Sequence, residues 1–342
     1  MSSDTVFGGP GKGTPGRVVV VFTGGTISMT VDPGAGGATP ALGGEALLAR
    51  VGDDGDLPTS VVLDLGRTPA SHFSFDDLLR IVRAAGGALA GDPDLAGAVV
   101  VQGTDTMDEA AFTYDLAWRD ERPLVVTGAM RTSDAPGADG PANLRDALAV
   151  AGSPSFRGAG CVVVLGGQVH AADAVVKMHT SAMDAFASPD AGPVGRVEGG
   201  RPFLLRRRVA RRAVPEPIGP VPNVGLAVAA IGLDGSAIDA FVAGGARGIV
   251  VEATGAGNTH PALLAAGERA MAAGAVVVLA SRVPGGRVTS GYAFPGGGAT
   301  WARAGAILAG RLTGPKARAA LSLGLAAGLD RDGLAALLDD PA

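Results

Sequence analysis

An α/β fold is what this sequence predicts, with a mostly parallel sheet in a larger N-terminal domain and a second, smaller α/β unit behind it. Three observations carry that expectation. Short runs of Val, Leu and Ala recur in which every residue is apolar, as in strands covered on both faces. Stretches with helical apolar spacing alternate with them. Pro215–Asn223, PEPIGPVPN, then interrupts the alternation with four prolines in nine residues and reads as a linker between residues 17–214 and 224–342.

Residues 1–16 are rich in Gly, Ser, Thr and Pro and read as a mobile tail. Gly11-Lys12-Gly13-Thr14 within them lacks the spacing, the preceding strand and the following helix of a phosphate loop. The first strand is Val18–Phe22, whose four consecutive valines are stiff and suit a buried strand. It stops at Thr23-Gly24-Gly25-Thr26, where two glycines permit a turn that side chains would resist. Val31–Gly44 follows, with five glycines and two prolines in fourteen residues and no periodicity, and reads as a lid or binding loop. A helix is expected at Glu45–Val51 and a strand at Val61–Leu65. Ser74 caps a helix Phe75–Ala85 that has Asp76 and Asp77 in its first turn.

Ala98–Val101 repeats the strand-then-turn pattern, ending in Gln102-Gly103-Thr104-Asp105. Thr106 and Glu109 have capping-box spacing for a helix to Trp118, with Met107, Ala111, Tyr114 and Trp118 on one stripe. Leu124–Thr127, a helix Asn143–Ala151 and a strand Cys161–Leu165 continue the alternation. Beyond the linker, strands Val224–Ile231, Gly248–Glu252 and Ala275–Ala280 alternate with helices Ser236–Ala243, Pro261–Ala273 and Pro315–Leu325.

Composition excludes several function classes. A net charge of −5 gives no general attraction to nucleic acid or membrane. Arg206–Arg208 with Arg211 and Arg212 form a basic cluster without interleaved aromatics, which reads as a solvated or subunit-contacting face. The one cysteine, Cys161, sits in an apolar run and reads as a buried small hydrophobe, which also rules out cysteine-rich zinc sites. His72, His170, His179 and His260 lack metal-ligand spacing. No leader-like segment and no apolar run near the roughly 18 residues of a membrane span is present, so a soluble, cytoplasmic protein is expected. The motifs of serine hydrolases, zinc peptidases and dinucleotide enzymes are missing too.

What remains is hydroxyl chemistry. A threonine can cleave an amide or ester if its proton is taken. Ligands bind at the carboxyl edge of open parallel sheets, and two threonine-bearing turns, at Thr26 and Thr104, are expected there. Asp105 adjoins Thr104, just ahead of a helix N-terminus that can hold an anion. Lys177 stands in an otherwise apolar stretch, Ala171–Met178. Burial would favour an uncharged, basic Lys177; an ionised Asp105 alongside opposes this, so Lys177 is expected to orient and polarise Thr104.

Taken together these residues resemble the bacterial-type L-asparaginase family. TGGTIS at Thr23–Ser28 and QGTDTMDEAA at Gln102–Ala111 are similar to its two threonine signatures, the second with Gln102 where the family usually has His. VTGAMR at Val126–Arg131, DGPANL at Asp139–Leu144, KMHTSAMDAF at Lys177–Phe186 and SRVPGGRV at Ser281–Val288 match in order, over about residues 17–340. The resemblance implies a hydrolase that releases ammonia from the asparagine side chain without metal or cofactor, and a flavodoxin-like C-terminal unit. It implies Thr26 as the acylated nucleophile, with Thr104, Asp105 and Lys177 as its second threonine, acid and lysine. Asp105 would also bind the substrate α-ammonium and Ser71 its α-carboxylate, with His72 beside it. Ala129 would contact the leaving amide, and Gly25 and Gly103 line the substrate. Dimers, usually paired into tetramers, are implied, with Asn258 and the Ser290–Phe294 loop facing the neighbour's site.

One departure stands out. The family's mobile loop carries a tyrosine that activates the first threonine, and Val31–Gly44 has none. Of the chain's two tyrosines, Tyr114 reads as core and Tyr292 lies in the loop expected to reach the neighbouring subunit, where its hydroxyl could substitute. Two other readings stay open: a binding or regulatory protein that has lost turnover, and an amidase for another amide such as L-glutamine or D-asparagine.

Overall fold

Strand after strand in the first domain has both faces covered, and that sets the architecture. In this computed structural model, which describes residues 16–52 and 57–340, the first sheet has eight strands. Their spatial order is Arg201–Leu204, Gly195–Glu198, Gln168–Ala171, Cys161–Leu165, Leu124–Thr127, Leu95–Val101, Arg17–Phe22 and Thr59–Asp64. The five strands from Cys161–Leu165 to Thr59–Asp64 run parallel, and the first three join antiparallel. Successive side chains point to opposite faces, and both are used. Val19, Val21 and Val100 pack with Leu78, Ile81 and Phe112 on one side. Val18, Val20 and Val99 pack with Leu47, Leu144 and Leu148 on the other. Nearly all of residues 1–16, including Gly11–Thr14, lies outside the described residues.

The second sheet is parallel throughout and in chain order: Val224–Val228, Gly248–Ala253, Val276–Ser281 and Ile307–Thr313. Helices Ser236–Ala243 and Pro261–Ala272 cover one face around the fully buried Trp301. Helix Gly314–Ala326 covers the other and also meets helix Met107–Ala117 of the first domain, so the two cores are continuous.

Several expectations are corrected. The segment after the first turn is not irregular throughout: Met29–Asp32 and Gly37–Pro40 pair as an antiparallel hairpin, whose base is tied down by Val31 N donating to Asp134 and Ser133 N to Met29 O. Helix Phe75–Ala85 runs on to Gly91, and the strand at Val224 stops at Val228, leaving Ile231 fully exposed. The capping box forms at Ser74 with Asp77 but not at Thr106, whose hydroxyl donates instead to the Ala70 carbonyl at 3.0 Å.

The basic cluster is mostly not a solvated face. Arg208 and Arg212 are buried, with side chains 6% exposed, and pair with Asp115, Asp173 and Asp340. Arg211 also meets Asp115, at 3.0 Å. The carboxylates that neutralise them come from distant parts of the chain, so the arginine run alone did not reveal their burial. Only Arg206 and Arg207 are exposed.

Candidate active site

Three neighbouring strand ends build the site. Phe22 is in register with Val101, and Val101 with Thr127, so the turns after them emerge side by side at the carboxyl edge of the sheet. Backbone bonds carry the ladder one step further, from Thr23 N to Val101 O and from Gln102 N to Thr127 O, both 3.0 Å. Gly24 and Gly25 have φ of +108° and +99°, which glycine alone adopts without strain. A Cβ on Gly25 would lie 2.3 Å from the Gly103 nitrogen. The backbones carrying Thr26 and Thr104 therefore touch, at a place where only glycine fits. Thr26, partly buried, opens a short 3-10 turn closed by Ser28, whose amide and hydroxyl both donate to Gly25 O at 2.9 and 2.7 Å.

The second turn carries the polar group. Lys177 Nζ donates to Thr104 Oγ1 at 3.0 Å and to Asp105 Oδ1 at 2.6 Å. Thr104 is buried, the Lys177 side chain is 12% exposed and the Asp105 side chain 80% exposed. One face of the trio is thus sheltered while the Asp105 carboxylate meets solvent. Because Lys177 donates to Thr104, the threonine's own hydrogen is free to point elsewhere.

The remaining expected residues fall into two groups. Ala70 packs against Gly103, so Ser71 and His72, both exposed, flank the second turn. Ala129 is buried in the third turn, whose Gly128 would place a Cβ 3.3 Å from the Thr104 methyl. Asn258 and Tyr292 instead stand in the second domain. Thr254 binds the Asn258 backbone carbonyl, and the half-exposed Tyr292 ring packs on Phe294 at 5.8 Å. Among the described residues no hydrogen bond or ring contact joins either to Thr26 or Thr104.

Sequence reasoning missed the braces behind these turns. Asp139 accepts from Met130 N and Arg131 N, and Asn143 Nδ2 donates to Gly128 O, so the DGPAN segment holds the third turn. Asp108 Oδ2 accepts Lys177 N at 3.3 Å. Tyr114 is core as expected, and its hydroxyl donates at 2.9 Å to Gln102 Oε1, directly before Gly103. Tyr114→Phe strips a buried acceptor of its partner and is expected to cost about 1–3 kcal/mol, read by chemical unfolding.

Comparison with known proteins gives the family. The model for the asparaginase N-terminal domain matches residues 17–210, and that for the glutaminase/asparaginase C-terminal domain residues 223–338. The chain belongs to the asparaginase family. It is 32% identical over 313 residues to an L-asparaginase of Bacillus licheniformis, covering 91% of this chain and 95% of that protein. It is 36% identical over 324 residues to a probable L-asparaginase of Deinococcus radiodurans, covering 92% and 95%. The crystal structure of a probable cytoplasmic L-asparaginase from Campylobacter jejuni superposes with a TM-score of 0.84 at 28% identity, covering 94% of this chain and 99% of that one.

Among the described residues no hydrogen bond joins a histidine side chain to the threonine turns. His260 caps helix Pro261–Ala272, and His179 Nδ1 accepts from Ser181 N and Ala182 N. His170 is buried with Nδ1 2.9 Å from Ser188 Oγ, and burial lowers its pKa to about 4. The unfolded chain then holds a proton that the folded one lacks between pH 6.5 and about 4, so this group's stability is fully present above pH 6.5 and drains away as pH falls to 4. Asp146, raised to about 6 by burial, acts in the opposite sense over much of that window, less strongly because it is half exposed. His170→Gln is expected to leave the protein more resistant to acid, by roughly 1–3 kcal/mol at pH 4.5 relative to pH 7.5, measured by unfolding at the two pH values.

Proposed function

We propose that this protein hydrolyses the side-chain amide of L-asparagine to L-aspartate and ammonia, through an ester formed on Thr26. The observation that carries the reading is the Lys177–Thr104–Asp105 hydrogen-bonded group on a turn whose backbone abuts that of Gly25–Thr26. In this reading Thr26 Oγ attacks the amide carbon and passes its proton to a neighbouring base. Backbone N–H groups of the glycine turns hold the oxyanion, the base hands the proton to the amide nitrogen as the C–N bond breaks, and ammonia leaves by the Ala129 carbonyl. Water, oriented by Thr104 and Lys177, then cleaves the ester. Asp105, whose carboxylate is open to solvent, takes the α-ammonium, and the Ser71 hydroxyl takes the α-carboxylate, with His72 beside it. The Met29–Pro40 hairpin closes over the substrate.

The site is shared between subunits of a homodimer or homotetramer. Two observations support this: the side-chain oxygen of Asn258 is buried without a hydrogen-bond partner, and Tyr292 and Phe294 form an exposed apolar pair. With no tyrosine in the hairpin, the hydroxyl near Thr26 comes from Tyr292 of the adjacent protomer. Tyr292→Phe is then expected to lower kcat by about 100-fold, in line with loss of a proton-transfer group. A rate within twofold of wild type removes Tyr292 from the chemistry. The protein acts in the cytoplasm, a reading supported by its likeness to the Campylobacter jejuni structure, and no helix among the described residues is long and apolar enough to cross a membrane.

The missing hairpin tyrosine favours one second reading, an amino-acid-binding homologue with little turnover. Steady-state ammonia release from L-asparagine, L-glutamine and D-asparagine, beside calorimetric binding of each, separates the two. Turnover of L-asparagine is expected; saturable binding of L-asparagine with no ammonia released from any of the three amides overturns hydrolysis. One methylene in a pocket is worth about 1–3 kcal/mol, so the L-glutamine rate reports how closely the hairpin fits.

A further inference from the structure

We infer that Lys316, in the second domain, is a positioning residue for the reaction, fixing the segment that carries Lys177 to Thr104. The inference rests on the amidohydrolase reading above, because that reading gives Lys177 its part in the chemistry. Lys316 lies on helix Gly314–Ala326, is 1% exposed, and donates through Nζ to the carbonyls of Asp173, at 3.1 Å, and Val175. Those residues stand four and two positions before Lys177.

The placement is costly, which is why it calls for a role. A buried ammonium loses its hydration and is tolerated only with strong hydrogen bonds or counter-charges. The groups facing this one are Asp108 and Asp173, which favour its charge, Arg208 and Arg212, which oppose it, and the Phe112 ring, 6.0 Å away. Burial outweighs the rest and pulls its pKa down to about 8. A leucine would fill a helix–helix seam without that cost. What only a donor can supply is an anchor for two carbonyls in a stretch with little regular structure of its own.

That stretch is packed through Ala172 and Val175, both fully buried, but pairs little with neighbouring strands. After strand Gln168–Ala171 the chain turns, and Val176–Lys177 makes only a two-residue pairing with Phe186–Ala187. Lys177 is nonetheless held from two sides. Asp108, from the helix that starts beside Thr104, takes its amide, and Lys316 holds the carbonyls just upstream. The Asp173 carboxylate is clamped in turn by Arg208 at 3.1 Å. Lys316 does not contact the threonines; it sets where the backbone of Lys177 begins, and so whether a 3.0 Å bond to Thr104 can form.

Ammonia release from L-asparagine by the full chain tests this with Lys316→Met, Lys316→Gln, Lys177→Met and Leu321→Ala. Lys316→Met keeps the length and loses the donor, and is expected to lower kcat about 10- to 100-fold, as misplacement on the ångström scale does, with KM within about twofold. Lys316→Gln restores two N–H donors and is expected to recover kcat to within about fivefold of wild type. Leu321→Ala opens a cavity in the same helix; it lowers the unfolding temperature and leaves kcat at 25 °C unchanged, which separates loosening from positioning. Should Lys316→Met not fold, Lys316→Gln decides: its small loss in kcat disappears on the Lys177→Met background. A Lys316→Met enzyme within twofold of wild-type kcat, or equal losses from Lys316→Gln on both backgrounds, overturns the positioning role. Full activity in Lys177→Met overturns instead the reading on which it rests.

Discussion

Thr26→Ala lowers kcat for L-asparagine by at least about 1,000-fold, the scale of loss seen when a covalent nucleophile is removed, and leaves the thermal transition where it was. Thr26 begins a turn that is held through Gly25 O by the Ser28 amide and hydroxyl, and its own side chain is only partly buried. Truncation therefore costs little in packing, and its effect is chemical. Thr104→Ala lowers kcat as well, but for another reason: it removes the acceptor that Lys177 binds at 3.0 Å and leaves the amine with Asp105 alone. KM distinguishes the two pictures. If Asp105 and Ser71 grip the α-ammonium and α-carboxylate, binding survives in Thr26→Ala, and calorimetry with L-asparagine finds saturable binding without turnover. A Thr26→Ala enzyme that still turns over at about a tenth of the wild-type rate excludes Thr26 as the nucleophile.

The second large effect is on stability. Asp115 is fully buried; it faces Arg208 at 2.9 Å and Arg211 at 3.0 Å and accepts the Cys161 amide at 2.8 Å. Removing one partner of a buried pair leaves the other charge without compensation, and such losses run to about 3–5 kcal/mol. Asp115→Ala is expected to destabilise by that amount. The charge stranded by the change is that of Arg208, whose side chain is only 6% exposed and keeps the Asp173 carboxylate and the Ala159 carbonyl. Arg208→Met in the same chain removes that stranded charge, so the double variant is less destabilised than the sum of the single changes. A sum that is simply additive, measured by denaturant unfolding, contradicts the coupling.

How much of this could be read beforehand follows the range of the interactions. Val18–Phe22 and Ala98–Val101 were legible because a strand covered on both faces must be apolar at every position, whatever covers it. The glycine turns were legible too, because positive φ at Gly24 and Gly25 is a demand of the backbone itself. Thr26, Thr104, Asp105 and Lys177 were legible as candidates from hydroxyl chemistry and the apolar surroundings of Lys177, and the resemblance gave each its role; spacing alone did not link Lys177 to a turn 72 residues earlier. The misses are long-range. Asp115, Asp173 and Asp340 come from three places to neutralise Arg208 and Arg212, so two members of a cluster that looks solvated are buried. Thr106 has capping-box spacing, yet a carbonyl 36 residues away takes its hydrogen. The Met29–Pro40 hairpin is glycine-rich and exposed at its tip, so it has no hydrophobic alternation to announce it. Nothing local marks Lys316 as buried; its burial follows from the packing of its helix against the first domain.

The most direct test of the threonine site is to catch the ester. L-asparagine is mixed with the enzyme, the reaction is quenched in acid on the millisecond scale, and peptides are mapped by mass spectrometry. A transient aspartyl adduct is predicted on the peptide that contains Thr26, and none in Thr26→Ala. An adduct carried by Thr104 or by any other residue, or turnover with no adduct at any time, contradicts an ester on Thr26.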